Sequence, residues 1–337
     1  MPVTVRSFAK INLGLYIGPL RADGYHDLRT IYQPIGLHDV IRVSVGRGTG
    51  VEVYCADPRV PCDESNTCYR IAEQVMEELG ATGRVTIEIE KRLPVQGGLG
   101  AASSNAVATM IGLERALRKR LTQPARLRIA AEVGSDLPMF LVGGTVLGVG
   151  RGEEVYPVAD LATTPVVVVT PEIGVSTPKA FADWDALMRG GQPAELRSAV
   201  PGRRPGATPA QLTHSGASDR LLEVGRVLSS WLVSPNTGAS ARSRSRAGSP
   251  LLDLVRTGIE NDFEKVVFPQ YPDLRDIKGA LERAGAVYAS LSGSGSALYG
   301  LFQTRASATR AAGRLQKQGL RAVATATLTR AQYWKKL

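Results

Sequence analysis

Residues 94–106 read PVQGGLGAASSNA. Gly97, Gly98 and Gly100 crowd the approach to a run of small residues with two serines in its middle. A backbone without Cβ atoms can come close to an anion, and free N–H groups at a helix start point toward it. The segment before the glycines, RVTIEIEK over 84–91, alternates Val85, Ile87 and Ile89 in the manner of a strand. The segment after them, AVATMIGLERALRKRL, reads as a helix. Strand, glycine turn and helix are a common way to hold a phosphate. It has no Gly-Lys-Ser/Thr of a Walker loop, and its glycine spacing is not that of a dinucleotide fingerprint.

Other residues could carry chemistry around a bound phosphate. Asp136 lies in GSDLPMF beside apolar Leu137, Met139 and Phe140. A carboxylate in such a setting is partly desolvated and needs a cationic neighbour, or else it caps a helix. In RADGYHDLRT the Asp23-Gly24 turn presents Tyr25 and His26 together. An exposed aromatic ring beside an imidazole can sandwich and read a base; the plainer alternative is a packed tyrosine and a surface histidine. Lys10 and Asn12 alternate with Ile11, Leu13, Leu15 and Ile17, which reads as a strand with its polar face toward water. The glycines of LSGSGSALY fit a tight turn.

These residues need elements to hold them. Strands are expected within 3–17, at VIRVSV (40–45) and at VEVYC (51–55). A helix is expected over NTCYRIAEQVMEELG, with Ser65 or Asn66 at its N-cap. After the loop and its helix come a second helix around ARLRIAAEVG, the turn SDLPMF, and a hairpin of TVLGVG with EEVYPV around Arg151-Gly152. The apolar run PVVVVT (165–170) opens a second half. There helices are expected at PKAFADWDALM, over 218–232, over 251–267 and at YPDLRDIKGALERAG. Strand AVYASLS, turn GSGS, strand ALYGLF, helix SATRAAGRLQKQGL and strand RAVATATL complete it. This order suggests a small α+β domain with helices on one face of an antiparallel sheet.

The chain has 337 residues, which suits one very large domain or two ordinary ones, and 43% of them are hydrophobic, enough for real cores. No apolar run approaches the ~18 residues that span a bilayer, and the start carries charges through its apolar part, unlike a signal peptide. The reading is a cytoplasmic protein with no membrane contact. Cys55, Cys62 and Cys68 fit no zinc spacing and read as reduced thiols. The net charge of +10 raises nucleic acid as a partner. Part of that excess lies in a Gly/Pro/Ser/Arg-rich stretch near 190–250, including ASARSRSRAGSP, which reads as a flexible insert. Its arginines have no aromatic residues interleaved for base stacking, so no nucleic-acid partner is expected. A protein that binds polyphosphate substrates also has use for positive charge.

In chain order, AKIN, ADGYH, P-x-x-x-G-L-G-x-x-S-S-N-A, GSDLPMFLVGGTVLGVGRGE, STPKAF and SLSGSGSALYGLF form a series that closely resembles the GHMP kinase superfamily. The likeness covers 5–302 apart from the insert. It implies an α+β fold of two domains. Residues 1–160 would form an N-terminal α/β domain with a ribosomal-protein-like βαβ core. Residues 161–337 would form a ferredoxin-like C-terminal domain carrying the insert. The resemblance implies ATP in the loop Pro94, Val95, Gln96, Gly97, Gly98, Leu99, Gly100, Ala101, Ala102, Ser103 and Ser104, with Asn66 near the adenosine. Mg²⁺ would accompany the ATP, and Ser103 or Ser104 could help to hold it. The chain carries Gln96, Ala101 and Ala102 where the family usually has glycine, and Asn105 where it often has aspartate.

AKIN with RADGYH and GSDLPMFL points to one branch of the family. Its acceptor is the 2-hydroxyl of 4-diphosphocytidyl-2-C-methyl-D-erythritol, in non-mevalonate isoprenoid synthesis. By that resemblance Asp136 is the catalytic base and Lys10 its partner, while Asn12 bonds the substrate. Tyr25 and Phe181 would stack on the cytosine and His26 would read its edge. Gly293, Ser294 and Gly295 would support the loop or the diphosphate. Homoserine or mevalonate kinase would share the loop but not the cytidine clamp. A non-catalytic nucleotide sensor would have lost Lys10 or Asp136, and both are present. An RNA-binding protein would rest on charge alone. Monomer and homodimer are both compatible with the sequence.

Overall fold

A computed structural model describes residues 2–190 and 259–337. The insert expected near 190–250 lies, from residue 191 on, outside the described residues. So do the helix expected over 218–232 and the first part of the one expected over 251–267.

The chain groups into two compact units. One comprises Met1–Ile11, Ile31–Thr163 and Thr325–Leu337; the other comprises Asn12–Thr30 and Thr164–Ala324. Two long strands, β1 (Val3–Leu20) and β2 (His26–Gly46), are the reason that residues 12–30 group away from their sequence neighbours. β2 continues through RTIYQPIGLH, where Pro34 and Gly36 masked the period-2 signal.

In the first unit β2 pairs antiparallel with β4 (Arg84–Glu90), and β4 pairs parallel with β3 (Val51–Cys55). β5 (Val146–Val149) and β6 (Glu154–Pro157) form the expected hairpin on the other side of β2. Val85, Ile87 and Ile89 face one core, as their alternation requires. Over that face lie α1 (Thr67–Glu78), α2 (Ala101–Leu117), α3 (Gln123–Val133) and the short α4 (Leu137–Val142). Every residue of α2 from Ser104 to Glu114 is buried. Its sequence NAVATMIGL has almost no polar stripe, which is the mark of a helix covered on all sides. A last helix, Arg330–Lys336, gave no apolar period in the sequence and is fixed by a Thr329 capping box and by Tyr333 in the core.

The second unit holds a four-stranded sheet in the order β10 (Ala322–Ala326), β7 (Pro165–Val169), β9 (Leu298–Leu301), β8 (Tyr288–Leu291). β9 is antiparallel to both β7 and β8. The helices here are α5 (Thr177–Met188), α6 (Glu264–Gln270), α7 (Pro272–Arg283) and α8 (Arg305–Lys317). α7 and α8 send Leu274, Leu281, Ala308 and Leu315 into a core with Val167, Val169 and Leu298. Each leucine or valine of this core contributes about 1.5–3 kcal/mol on burial, so the core fixes the hairpin between β8 and β9 firmly.

Candidate active site

The glycine loop leaves β4 at Glu90 and enters α2 at Ala101. It turns through three left-handed residues: Gln96 at φ 58°, Gly98 at 72° and Gly100 at 67°. Gly100 is also the N-cap of α2, and a Cβ there would lie 2.9 Å from Lys10 Cγ. Glycine is thus required at 100 on two counts, conformation and close approach. The first N–H groups of α2 have no carbonyl partner within the helix, and the helix dipole favours an anion before them. The loop walls a cavity of about 300 Å³ whose lining includes Asn66, Cys68, Lys91, Val95, Gly97 and Ser103. Asn66 caps α1 by accepting from Cys68 N. Burial pushes the Cys68 thiol up to about 12, so it stays a neutral wall. The two serines part company: Ser103 lines the cavity, whereas Ser104 is buried against the Ser7 hydroxyl at 2.8 Å.

Lys10 does not face water. It is 3% exposed, and its ammonium donates to Gly98 O at 3.0 Å and lies 3.5 Å from Asp136 Oδ2. Its backbone N–H donates to Leu99 O at 2.9 Å, so strand and loop are stitched at the same residue. Asp136 occupies the N-cap position of α4, yet its side chain makes no capping bond. Its other oxygen, Oδ1, accepts the Tyr32 hydroxyl at 2.9 Å. Burial, with Asp136 alongside, pushes the Tyr32 phenol well above its ordinary value, so Tyr32 remains a donor. The arrangement is a half-exposed carboxylate held from two sides by a cation and a hydroxyl, next to the glycine loop.

The second unit gathers another set. His26 Nε2 sits 2.8 Å from Asp185 Oδ1, and its ring stacks on Phe181 at 5.0 Å between centroids. Phe181 meets Phe263 edge-on at 4.9 Å. Tyr25 is 52% exposed and is not part of that stack. Asn12 is buried and donates to Thr30 Oγ1 at 2.7 Å. The hairpin of Gly293, Ser294 and Gly295 is tied down by Asn261, whose amide donates to Leu291 O and Gly293 O at 2.9 and 2.8 Å. Thr177, at the start of α5, bonds Ser294 Oγ at 2.7 Å.

Comparison with known proteins shows the family of the chain. Residues 66–144 match the GHMP kinases N terminal domain and 246–320 match the GHMP kinases C terminal region. A 4-diphosphocytidyl-2-C-methyl-D-erythritol kinase of Solibacter usitatus is 36% identical over 89% of this chain and 81% of its own length. One from Chlorobium limicola is 34% identical over 97% of each. The chain belongs to the GHMP kinase family. A crystal structure of 4-(cytidine 5'-diphospho)-2C-methyl-D-erythritol kinase matches it with a TM-score of 0.66 at 27% identity, covering 96% of this chain and 99% of that one. A homoserine kinase from Cytophaga hutchinsonii shares the fold, with a TM-score of 0.62 at 19% identity over 97% and 95%.

Three residues of this GHMP kinase escaped the sequence reading: Tyr32, Asp185 and Asn261. Tyr32 sits in a stretch without a visible strand signal. The nearby glycines gave one clue, because a Cβ at Gly148 or Gly152 would come within 2.5 Å of the Tyr32 ring or hydroxyl. Among the described residues no group of three His, Cys, Asp or Glu side chains could hold a metal, and none of the helices is long and apolar enough to cross a membrane. The Ser103 hydroxyl, which lines the cavity, is an oxygen donor of the kind that Mg²⁺ takes beside phosphates.

Proposed function

We propose that this kinase acts in the cytoplasm and transfers the γ-phosphoryl group of ATP to the 2-hydroxyl of 4-diphosphocytidyl-2-C-methyl-D-erythritol. The observation that carries the mechanism is the Lys10 ammonium, shared between Gly98 O at 3.0 Å and Asp136 Oδ2 at 3.5 Å. It ties the proton acceptor to the loop that holds the phosphates.

The ATP phosphates lie along the loop from Pro94 to Ser104, against the backbone N–H groups of Gly97, Gly98 and Gly100 and the start of α2. The adenosine occupies the cavity by Asn66. Mg²⁺ would neutralise phosphate charge, and the Ser103 hydroxyl would help to hold it. Asp136 takes the proton of the acceptor hydroxyl as that oxygen bonds to the γ-phosphorus and the bond to the β-phosphate oxygen breaks, leaving ADP. Lys10 keeps the carboxylate ionised and offsets the developing alkoxide. Little covalent work is required of the protein; positioning and charge neutralisation carry most of the step.

Tyr25, His26 and Phe181 bind the cytosine, and Asn12 with Gly293, Ser294 and Gly295 serves the rest of the substrate. A neutral His26 that donates Nε2–H to Asp185 offers Nδ1 as an acceptor, which suits the exocyclic amine of cytosine. The test is ADP release in a coupled assay with the diphosphocytidyl alcohol, homoserine and mevalonate offered in turn. Turnover with the first and not the others is expected. Preference for either of the others would overturn the substrate assignment while leaving the kinase.

A further inference from the structure

The GHMP kinase loop must hold an unusual path, with one non-glycine residue in the left-handed region. Something has to fix its two ends. The buried polar groups beneath it point to a single carboxylate.

Asp39, in β2, is 0% exposed. Four donors converge on it. Oδ1 accepts the backbone N–H groups of Arg92 and Leu93, both at 2.7 Å. Oδ2 accepts the Lys91 ammonium at 2.8 Å and the Asn105 amide at 3.0 Å. Residues 91–93 are the entry to the loop, between the end of β4 and Pro94. Asn105 is the fifth residue of α2, just past the loop's exit. One carboxylate therefore grips both ends of the phosphate-holding segment.

A second layer sets which way Asn105 points. Its Oδ1 accepts the Ser7 hydroxyl at 2.5 Å, and Ser7 Oγ is also 2.8 Å from Ser104 Oγ. Ser7 has one hydrogen; giving it to Asn105 leaves its oxygen to accept from Ser104. The chain Ser104–Ser7–Asn105–Asp39 is buried throughout. Networks of this kind are rigid when every member is satisfied, and breaking one leaves a buried charge without its partners.

We propose that Asp39 is a positioning residue for nucleotide binding: it preorganises the glycine loop by clamping residues 91–93 to Asn105, and Ser7 keys that clamp. It touches no reacting atom. Its contribution is to spare the loop the entropy of finding its shape when the triphosphate arrives. This rests on the reading of the loop as the ATP site.

The experiment measures ATP affinity by calorimetry on the intact protein, with Tm and steady-state kinetics beside it. The set is wild type, Asp39→Asn, Ser7→Ala, Asn105→Leu and the double variant Asp39→Asn with Asn105→Leu. Asp39→Asn turns an acceptor toward two donors into a third donor and should weaken ATP binding roughly tenfold or more. Asn105→Leu keeps the side-chain shape but removes the donor to Asp39 and the acceptor for Ser7, and should do the same. Because both changes break one clamp, the double variant should lose little more affinity than the worse single change. Ser7→Ala is the mild case, which keeps the fold testable if Asp39→Asn does not accumulate; a severalfold loss is expected. In each variant KM for ATP should rise more than KM for the acceptor. A purely structural role would lower Tm and the active fraction while leaving the affinity of the folded protein intact, and that result in Ser7→Ala and Asn105→Leu overturns the proposal. A wild-type protein that binds no ATP would instead overturn the loop reading itself.

Discussion

Tyr32 and Asp136 are 104 residues apart in sequence and share a hydrogen bond of 2.9 Å, with the phenol donating to the carboxylate. Tyr32 is fully buried, and the space for its ring exists because positions 148 and 152 lack a Cβ. The bond holds one oxygen of Asp136 while Lys10 stands by the other. Removing the hydroxyl frees the carboxylate to rotate away from its productive aim. Tyr32→Phe should lower kcat by about tenfold, the scale of one hydrogen bond to a charged group, with little change in KM for ATP. Steady-state kinetics decide it, and an unchanged kcat would make Tyr32 a packing residue only.

Lys10 and Asp136 should behave as one unit. Asp136→Asn keeps shape but accepts no proton, and Lys10→Met keeps the stem but loses the charge. Each should depress kcat by roughly 10²–10⁴, the usual range for a positioned base. The proposed step uses both for one proton transfer, so the double variant should be far less damaged than the product of the single effects. Full additivity in the mutant cycle would refute the coupling.

The loop offers a pair of opposite outcomes. Gly98 has φ 72°, so Gly98→Val forces a β-branched residue into the left-handed region and should sharply weaken ATP binding. Gln96 already bears that strain at φ 58°. Gln96→Gly relieves about 1–2 kcal/mol of left-handed cost and loses about 0.5–1 kcal/mol to unfolded-chain entropy. It should therefore raise Tm slightly. A clear fall in Tm would mean that the Gln96 side chain supplies contacts that outweigh the strain.

In the second unit, Asp185 holds the His26 ring through its 2.8 Å contact with Nε2. Asp185→Ala should raise KM for the cytidine substrate severalfold and relax the preference for cytidine over a uridine analogue, with KM for ATP unmoved. His26→Ala should raise the same KM further. Equal effects of Asp185→Ala on both KM values would indicate a general loosening of α5.

Four tyrosines predict the alkaline limit of the fold. Burial pushes Tyr32, Tyr288, Tyr299 and Tyr333 above the ordinary value of 10.0. The folded chain then keeps protons that the unfolded chain releases near that value. Below it both states are protonated and the stabilisation is complete. As pH rises past it stability falls, and the contribution is lost as pH reaches the raised folded values. Tyrosinate absorbance should show these four titrating only together with the loss of near-UV circular dichroism. Reversible titration of all ten tyrosines in a folded protein would contradict it.

The glycine loop, its flanking strand and helix, the N-cap at Asn66 and the hairpin at 146–157 were legible in the sequence because their signals are local. Period-2 alternation, capping side chains and left-handed glycines act over a few residues. The order of the motifs was enough to place the chain among the GHMP kinases. The partners of the site residues were not legible. Alternation sent Lys10 and Asn12 toward water, yet both are buried, because a long strand covered on both faces has no solvent side. Asp136 reads as a cap and caps nothing, since Lys10 and Tyr32 reach its oxygens from distant segments. Ser103 and Ser104 are adjacent in sequence, but the helical turn sends one to the cavity and the other to Ser7. Asp39 carries no motif, and what it grips lies 52 to 66 residues away. Local chemistry fixes which backbone shapes a segment can take. Which side chains share a charge or a proton depends on strand register and helix packing, and those are properties of the assembled core.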